Sequence, residues 1–316
     1  MSVPTTNAEA ASAAVNRSAG RRANRWNRRI RLSFLGSLKA ELLKLKSLKS
    51  TWILLGLAAA LMVGMAALSA WTITFMTTVD ITTGKTLDHP KPLAAVDLWA
   101  VLASSGSTAA LVIGIFGVMA ITSEYTTSAI QSSLTANPRR IMFYTSKSLA
   151  VALYALASGI VGILLASGVL WLFVHGHDVT ALKGDQWRII PITVAGFPLI
   201  ITLIALLAVG LGALTRSTVG GVSIVVVLLM VLSSILAIVS MAVSQVSWLG
   251  TLAYLTPDMS MNNFLGASIR SDAVSSVTSQ QNYWIPEWWQ SGLILCAWVT
   301  VAWIGGLTVT AKTDVK

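Results

Sequence analysis

Six long apolar segments dictate what this chain can become. They run over about 52–76, 98–122, 143–174, 189–214, 219–243 and 288–310. A helix needs about 20 residues to cross a hydrocarbon core some 30 Å thick, and every segment reaches that length. None alternates apolar and polar residues as a barrel strand does. A lipid-facing strand without closure would leave its backbone groups unpaired, so the segments are read as helices. The expected fold class is all-α, a polytopic membrane protein with six transmembrane helices. Composition agrees: 55% of the 316 residues are hydrophobic and only 11% are charged, against about 25% charged in a soluble domain.

Charge sets the expected orientation. With the N-terminus placed in the cytoplasm, the inner segments hold 17 of the 22 lysines and arginines and four acids. The outer loops then hold five basic residues and eight acids, giving +13 inside and −3 outside. Basic residues favour the cytoplasmic side, so both termini are expected there, in a multi-pass protein of the cytoplasmic membrane. The net charge of +10 is a consequence of topology and calls for no nucleic acid. Eight tryptophans, from Trp71 to Trp289, fall near expected outer ends, and Trp52 falls at an inner one, the headgroup level that indole prefers.

The chain divides into three parts. Residues 1–29 read as a disordered basic cytoplasmic tail, and 51–316 as the six-helix transmembrane domain. Between them, 30–50 places Leu35, Leu38, Leu42 and Leu45 at helical spacing with Lys39, Lys46 and Lys49 off that stripe. Such a helix lies in the membrane interface. The 244–287 loop mixes Trp248, Leu249, Leu252, Tyr254 and Leu255 with polar stretches. It either re-enters or lies on the membrane, or forms a small packed cap.

Little chemistry is visible. Cys296 is the single cysteine, and His89, His175 and His177 lie at or beyond membrane edges. No catalytic residue and no metal or cofactor site is expected. There is no Gly-rich loop ending in Gly-Lys-Ser/Thr, so ATP-driven work would need another polypeptide. The middles of the spans carry almost no charge. Lys147 is expected to snorkel to the inner surface. Carriers coupled to protons or ions place charge at mid-membrane, so a secondary transporter is disfavoured. Pro198 predicts a kink in the fourth span. Ser158, Gly162 and Ala166 form a ladder of small residues on the third.

The segment between spans two and three is the most informative. Glu124 can open a short helix, Ile130 and Leu134 share one face of it, and Asn137-Pro138 ends it before Arg139 and Arg140. A solvated loop has no need of Ile130 and Leu134, so the stretch reads as a docking surface for a cytoplasmic partner. Three features then resemble the permease subunits of ABC-2-type (type V) exporters. They are the basic helix from Lys39-x-Glu41-Leu42-x-Lys44 to Lys49-Ser50-Thr51-Trp52, the run Gly117-x-x-x-Ile121-x-x-Glu124-Tyr125-Thr126-Thr127-x-x-Ile130 to Pro138-x-Arg140 and Lys147, and six spans with the longest outer loop before the sixth.

The resemblance implies that the 124–138 helix is a coupling helix docking on a separate ABC ATPase subunit, which binds ATP and magnesium. Glu124, Tyr125, Thr127, Ile130, Gln131, Leu134, Pro138 and Arg139 would make that contact. Helix 30–50, with Lys39, Glu41, Lys44, Lys46 and Lys49, would be the interface helix. Two permease chains, alike or different, would pair in lipid around a pathway for a hydrophobic or amphipathic cargo such as a drug, an antimicrobial peptide or a lipid. The alternatives are an immunity or scaffold protein, or a lipid scramblase, neither needing an ATPase.

Overall fold

The computed structural model describes residues 33–79, 83–87, 89, 92–126, 139–242, 247–269 and 284–312. Six of its helical segments are long and apolar enough to cross a membrane. In chain order the helices are α1 (Phe34–Ser47), α2 (Lys49–Thr78), α3 (Ala95–Ser104), α4 (Gly106–Thr126), α5 (Arg140–Val174) and α6 (Ile189–Thr215). There follow α7 (Thr218–Val226), a π-helical turn (Val227–Val231), α8 (Leu232–Ala242), α9 (Ser247–Tyr254), α10 (Pro257–Leu265) and α11 (Trp288–Lys312). A two-residue parallel pairing, Leu93 with Val179 and Ala94 with Thr180, ties the loop before α3 to the loop after α5.

Helices α4 and α6 are the most enclosed, while α2, α7–α8 and α11 expose most of their surface. Small residues set the spacing. A Cβ at Gly117 of α4 would fall 2.6 Å from the Ala205 carbonyl of α6, and one at Gly159 of α5 would fall 2.8 Å from Pro198 Cα. Backbones this close are the packing mode of helices in lipid, where no hydrophobic force drives association. On α5 the enclosed stripe is Ala155, Gly159, Gly162 and Ala166, with Met62 of α2 lying against Gly162. Ser158 is only partly covered. The helix α6 continues through Pro198, whose carbonyl accepts from Thr202 Oγ1 at 2.7 Å.

Two spans depart from the simple reading. The second breaks at Ser105, whose hydroxyl donates to the Leu102 carbonyl at 2.8 Å. Gly106 follows the break, and a Cβ there would overlap the Phe197 ring. The fifth contains the π turn, which inserts i→i+5 spacing into an otherwise α-helical span.

The ends of the spans gather into two groups. Lys49, Arg140, Arg216 and Lys312 stand at one, the basic end. There the Arg140 and Arg216 guanidinia donate to the carbonyls of Ala311 and Val309 in the last turn of α11, where cations complement the helix dipole. Arg216 itself caps α6 in the left-handed region at φ 51°. At the far end, α9 and α10 form a hairpin that turns back into the bundle. Its tip is the Leu255 carbonyl, which accepts from Trp298 Nε1 at 2.9 Å. Trp298 lies roughly 15 Å along α11 from Trp288. Higher up, Phe264 meets the Trp288 ring, and Asn263 Nδ2 donates to the Pro286 carbonyl and to Ser291 Oγ. The apolar half of the 244–287 loop is therefore inserted between α8 and α11 instead of resting on the surface as a cap.

Candidate functional site: a charged junction at the basic end

Helix α1 starts at Ser33, whose hydroxyl accepts from the Gly36 amide at 3.1 Å, a capping bond that satisfies one of the orphan donors of a first turn. It ends at Leu48, where the backbone becomes extended before α2 begins. The helical repeat puts Leu38, Glu41, Leu42 and Leu45 on one face, and that face packs on the bundle. Ser37 and Ser146 share a hydrogen bond of 2.9 Å, and Tyr154 donates to the Leu42 carbonyl at 3.3 Å. Trp52 Nε1 donates back to the Lys46 carbonyl at 2.9 Å. Leu35 and Leu43 remain exposed, as do Lys39, Lys46 and Lys49. The apolar stripe thus serves chiefly to seat α1 on α5.

Glu41 arrives on that seated face, and it meets Lys147 of α5. The Lys147 ammonium lies 2.8 Å from Glu41 Oε2 and 2.6 Å from Oε1 of Glu124, near the end of α4. It also approaches the Ala120 carbonyl at 3.4 Å and sits 5.4 Å from the centre of the Phe143 ring. Lys44, one turn beyond Glu41, reaches the same Glu124 oxygen from the outside. Lys147, Glu124 and Glu41 are 1%, 2% and 8% exposed, and the Lys44 side chain is 38% exposed. Two ammoniums and two carboxylates bring three helices to one point with no net charge.

Two expectations change here. Lys147 does not snorkel: its carboxylate partners lie inside the protein, so its stem has no reason to reach for solvent. Glu124 was expected to face a partner, yet its carboxylate is turned inward onto Lys147. Its Oε2 is buried with no hydrogen-bond partner among the described residues. Tyr125 packs against the main core cluster. Arg139 is exposed at the start of α5, its carbonyl accepting from the Phe143 amide. Thr127, Ile130, Gln131, Leu134 and Pro138 lie outside the described residues. The pairing of Lys147 with Glu41 and Glu124 was not expected from the sequence. The available signal was an acid two residues past the end of one apolar run and a base about one turn inside the start of the next.

The junction has a mechanical consequence. Ion pairs held in an apolar setting are strong and tolerate little separation, because an unpaired charge left there is costly. A displacement of α1, of the end of α4 or of the start of α5 is therefore passed to the other two. The polypeptide leaves this point for 127–138 directly from α4 and returns to it through α5. Comparison with known proteins finds no matching family model and no matching curated protein.

Proposed function

We propose that the chain is the permease subunit of an ATP-driven exporter of the cytoplasmic membrane, moving a hydrophobic or amphipathic substrate. ATP binding and hydrolysis belong to a separate ABC ATPase subunit, and a second permease chain completes the pathway. The six apolar helices supply the barrier-crossing body. The observation that carries the reading is the four-charge junction, which fastens the amphipathic α1 to the ends of α4 and α5 on either side of 127–138. A push delivered to a docked 127–138 segment would enter the bundle at the junction that ties α1, α4 and α5 together. A protein that only sequesters a ligand on its far side, or passes lipid without nucleotide, has no need for such a joint.

The test is gentle extraction of the tagged chain from its native membrane and identification of what co-purifies. Recovery of a P-loop ATPase with wild type and its loss in Ile130→Asp/Leu134→Asp supports the reading. A chain that purifies alone in both forms, and acts without ATP, overturns it in favour of a scaffold or a scramblase.

A further inference from the structure

Seating α1 on α5 leaves a second face of the helix uncovered. Leu35, Lys39, Leu43 and Lys46 recur at spacings that stand on one side of a helix. Leu35 is 75% exposed and Leu43 57%. Lys39 and Lys46 are exposed, as is Lys49 at the start of α2, and none of the three makes an ion pair among the described residues. Glu41, the single acid of α1, is turned inward onto Lys147. The free face therefore carries cations and leucines and no anion.

Its position says what it meets. Ser146 and Tyr154, the α5 residues that bond Ser37 and the Leu42 carbonyl, stand roughly 9 and 21 Å along α5 from Arg140. Trp52 of α2 meets the Tyr154 ring edge-on, with centres 6.4 Å apart. Helix α1 thus lies beside α5 at the level where α2 starts and the chain enters the apolar layer. The Trp52 indole donates to the Lys46 carbonyl yet is 56% exposed, and Ile53 next to it is 66% exposed. The lipid-facing surface of α2 therefore continues, through Trp52, onto α1 beside Lys46. A leucine exposed by itself needs no explanation. Two of them among unpaired lysines, beside a tryptophan at the mouth of a span, make the pattern of a helix seated in a headgroup layer.

We propose that Leu35, Lys39, Leu43 and Lys46, with Lys49 and the Trp52 ring, form a binding surface for the anionic headgroups of phospholipids around the basic end of the bundle. Each ammonium meets a phosphate oxygen as a point charge, and the leucines enter the boundary between headgroups and acyl chains. Charge complementarity selects the lipid. A zwitterionic headgroup carries its own cation, and this face has no carboxylate to receive it. Each lysine near an anionic leaflet adds its own increment of attraction. Because Glu41 ties the same helix to Lys147, a headgroup that holds α1 also holds one arm of the charged junction. The assignment does not depend on the export reading.

The experiment uses the full chain in phosphatidylcholine nanodiscs containing a trace of one photoactivatable lipid. The probe is phosphatidylglycerol, or phosphatidylcholine with the same diazirine-bearing chains. After illumination, labelled peptides are mapped by mass spectrometry and normalised to labelling of the exposed face of α2 around Leu68. Phosphatidylglycerol is expected to label 34–53 at least about tenfold more than phosphatidylcholine, and in wild type that ratio should fall as salt is raised. Lys39→Gln/Lys46→Gln/Lys49→Gln should bring the ratio close to one. Lys39→Arg/Lys46→Arg/Lys49→Arg should keep it. Both variants leave Glu41, Lys44 and Lys147 in place. Equal labelling of wild type by the two lipids overturns the proposal, and so does a preference that survives the glutamine variant. A third result also overturns it: no labelling of 34–53 by either lipid, while Leu43→Cys in a Cys296→Ser background reacts with a water-soluble maleimide. That result would open the face to water and leave it to a protein partner.

Discussion

Lys147 Nζ lies 2.6 Å from Glu124 Oε1, joining the start of α5 to the end of α4 across a buried contact. Glu41 of α1 approaches the same ammonium at 2.8 Å. The pairing makes the neighbourhood sensitive to any change that leaves one charge alone.

Lys147→Met strands the Glu41 carboxylate and leaves Glu124 with only the partly exposed Lys44. Breaking a buried pair in this way costs about 3–5 kcal/mol. Thermal unfolding of the solubilised protein, followed by tryptophan fluorescence, should show a large fall in midpoint. The double variant Lys147→Met/Glu124→Gln should lose less than the two single variants added together, because the interaction is already absent. Additive losses would mean that the pair contributes nothing.

Lys44→Met touches the same carboxylate from the partly exposed side. Its loss should cost under about 1 kcal/mol, and the difference from wild type should shrink as salt is raised. A loss as large as that of Lys147→Met would place Lys44 in the buried junction rather than at its edge.

Glu124→Lys places a third ammonium beside Lys44 and Lys147. Any loss of transport in that variant should come with loss of folded protein, visible as reduced monodisperse yield in size-exclusion chromatography. Ile130→Asp/Leu134→Asp should abolish transport at wild-type yield. The two phenotypes separate a joint from a docking surface.

Gly210→Val would push side-chain atoms into the Ala302 carbonyl of α11, and backbone has little room to yield. Overpacking of this kind costs about 1–3 kcal/mol. Gly168→Ala is the control, since nothing lies within 4 Å of a Cβ there. The midpoint should fall for the first and hold for the second.

Trp298→Phe removes the donor to the Leu255 carbonyl at the hairpin tip. Leaving that group unsatisfied costs about 1–3 kcal/mol. Amide exchange over 253–257 should accelerate relative to the spans. Unchanged exchange would show that packing alone holds the tip.

The spans were legible because length and apolarity are properties of contiguous sequence. The third, expected over 143–174, runs as Arg140–Val174, and the sixth, expected over 288–310, as Trp288–Lys312. The amphipathic helix before the first span was legible for the same reason, from leucines at helical spacing. What covers its apolar face was not, since Ser146, Lys147 and Tyr154 are about a hundred residues away. The break at Ser105 was hidden because Ser-Gly within an apolar run also suits an uninterrupted membrane helix. Asp258 of α10 was hidden in another way. Its carboxyl reaches Ser233 of α8 only once α9 and α10 fold back, and no local pattern announces the return of a loop.

The buried pair between α4 and α5 also bears on how the chain is built. Glu124 and Lys147 lie 23 positions apart, near the facing ends of two successive spans. While α5 is still being synthesised, the only one of its two lysine partners available to the Glu124 carboxylate is the partly exposed Lys44 of α1. The buried contact between the end of α4 and the start of α5 is therefore completed only after synthesis has passed residue 147, and neither helix can make it alone.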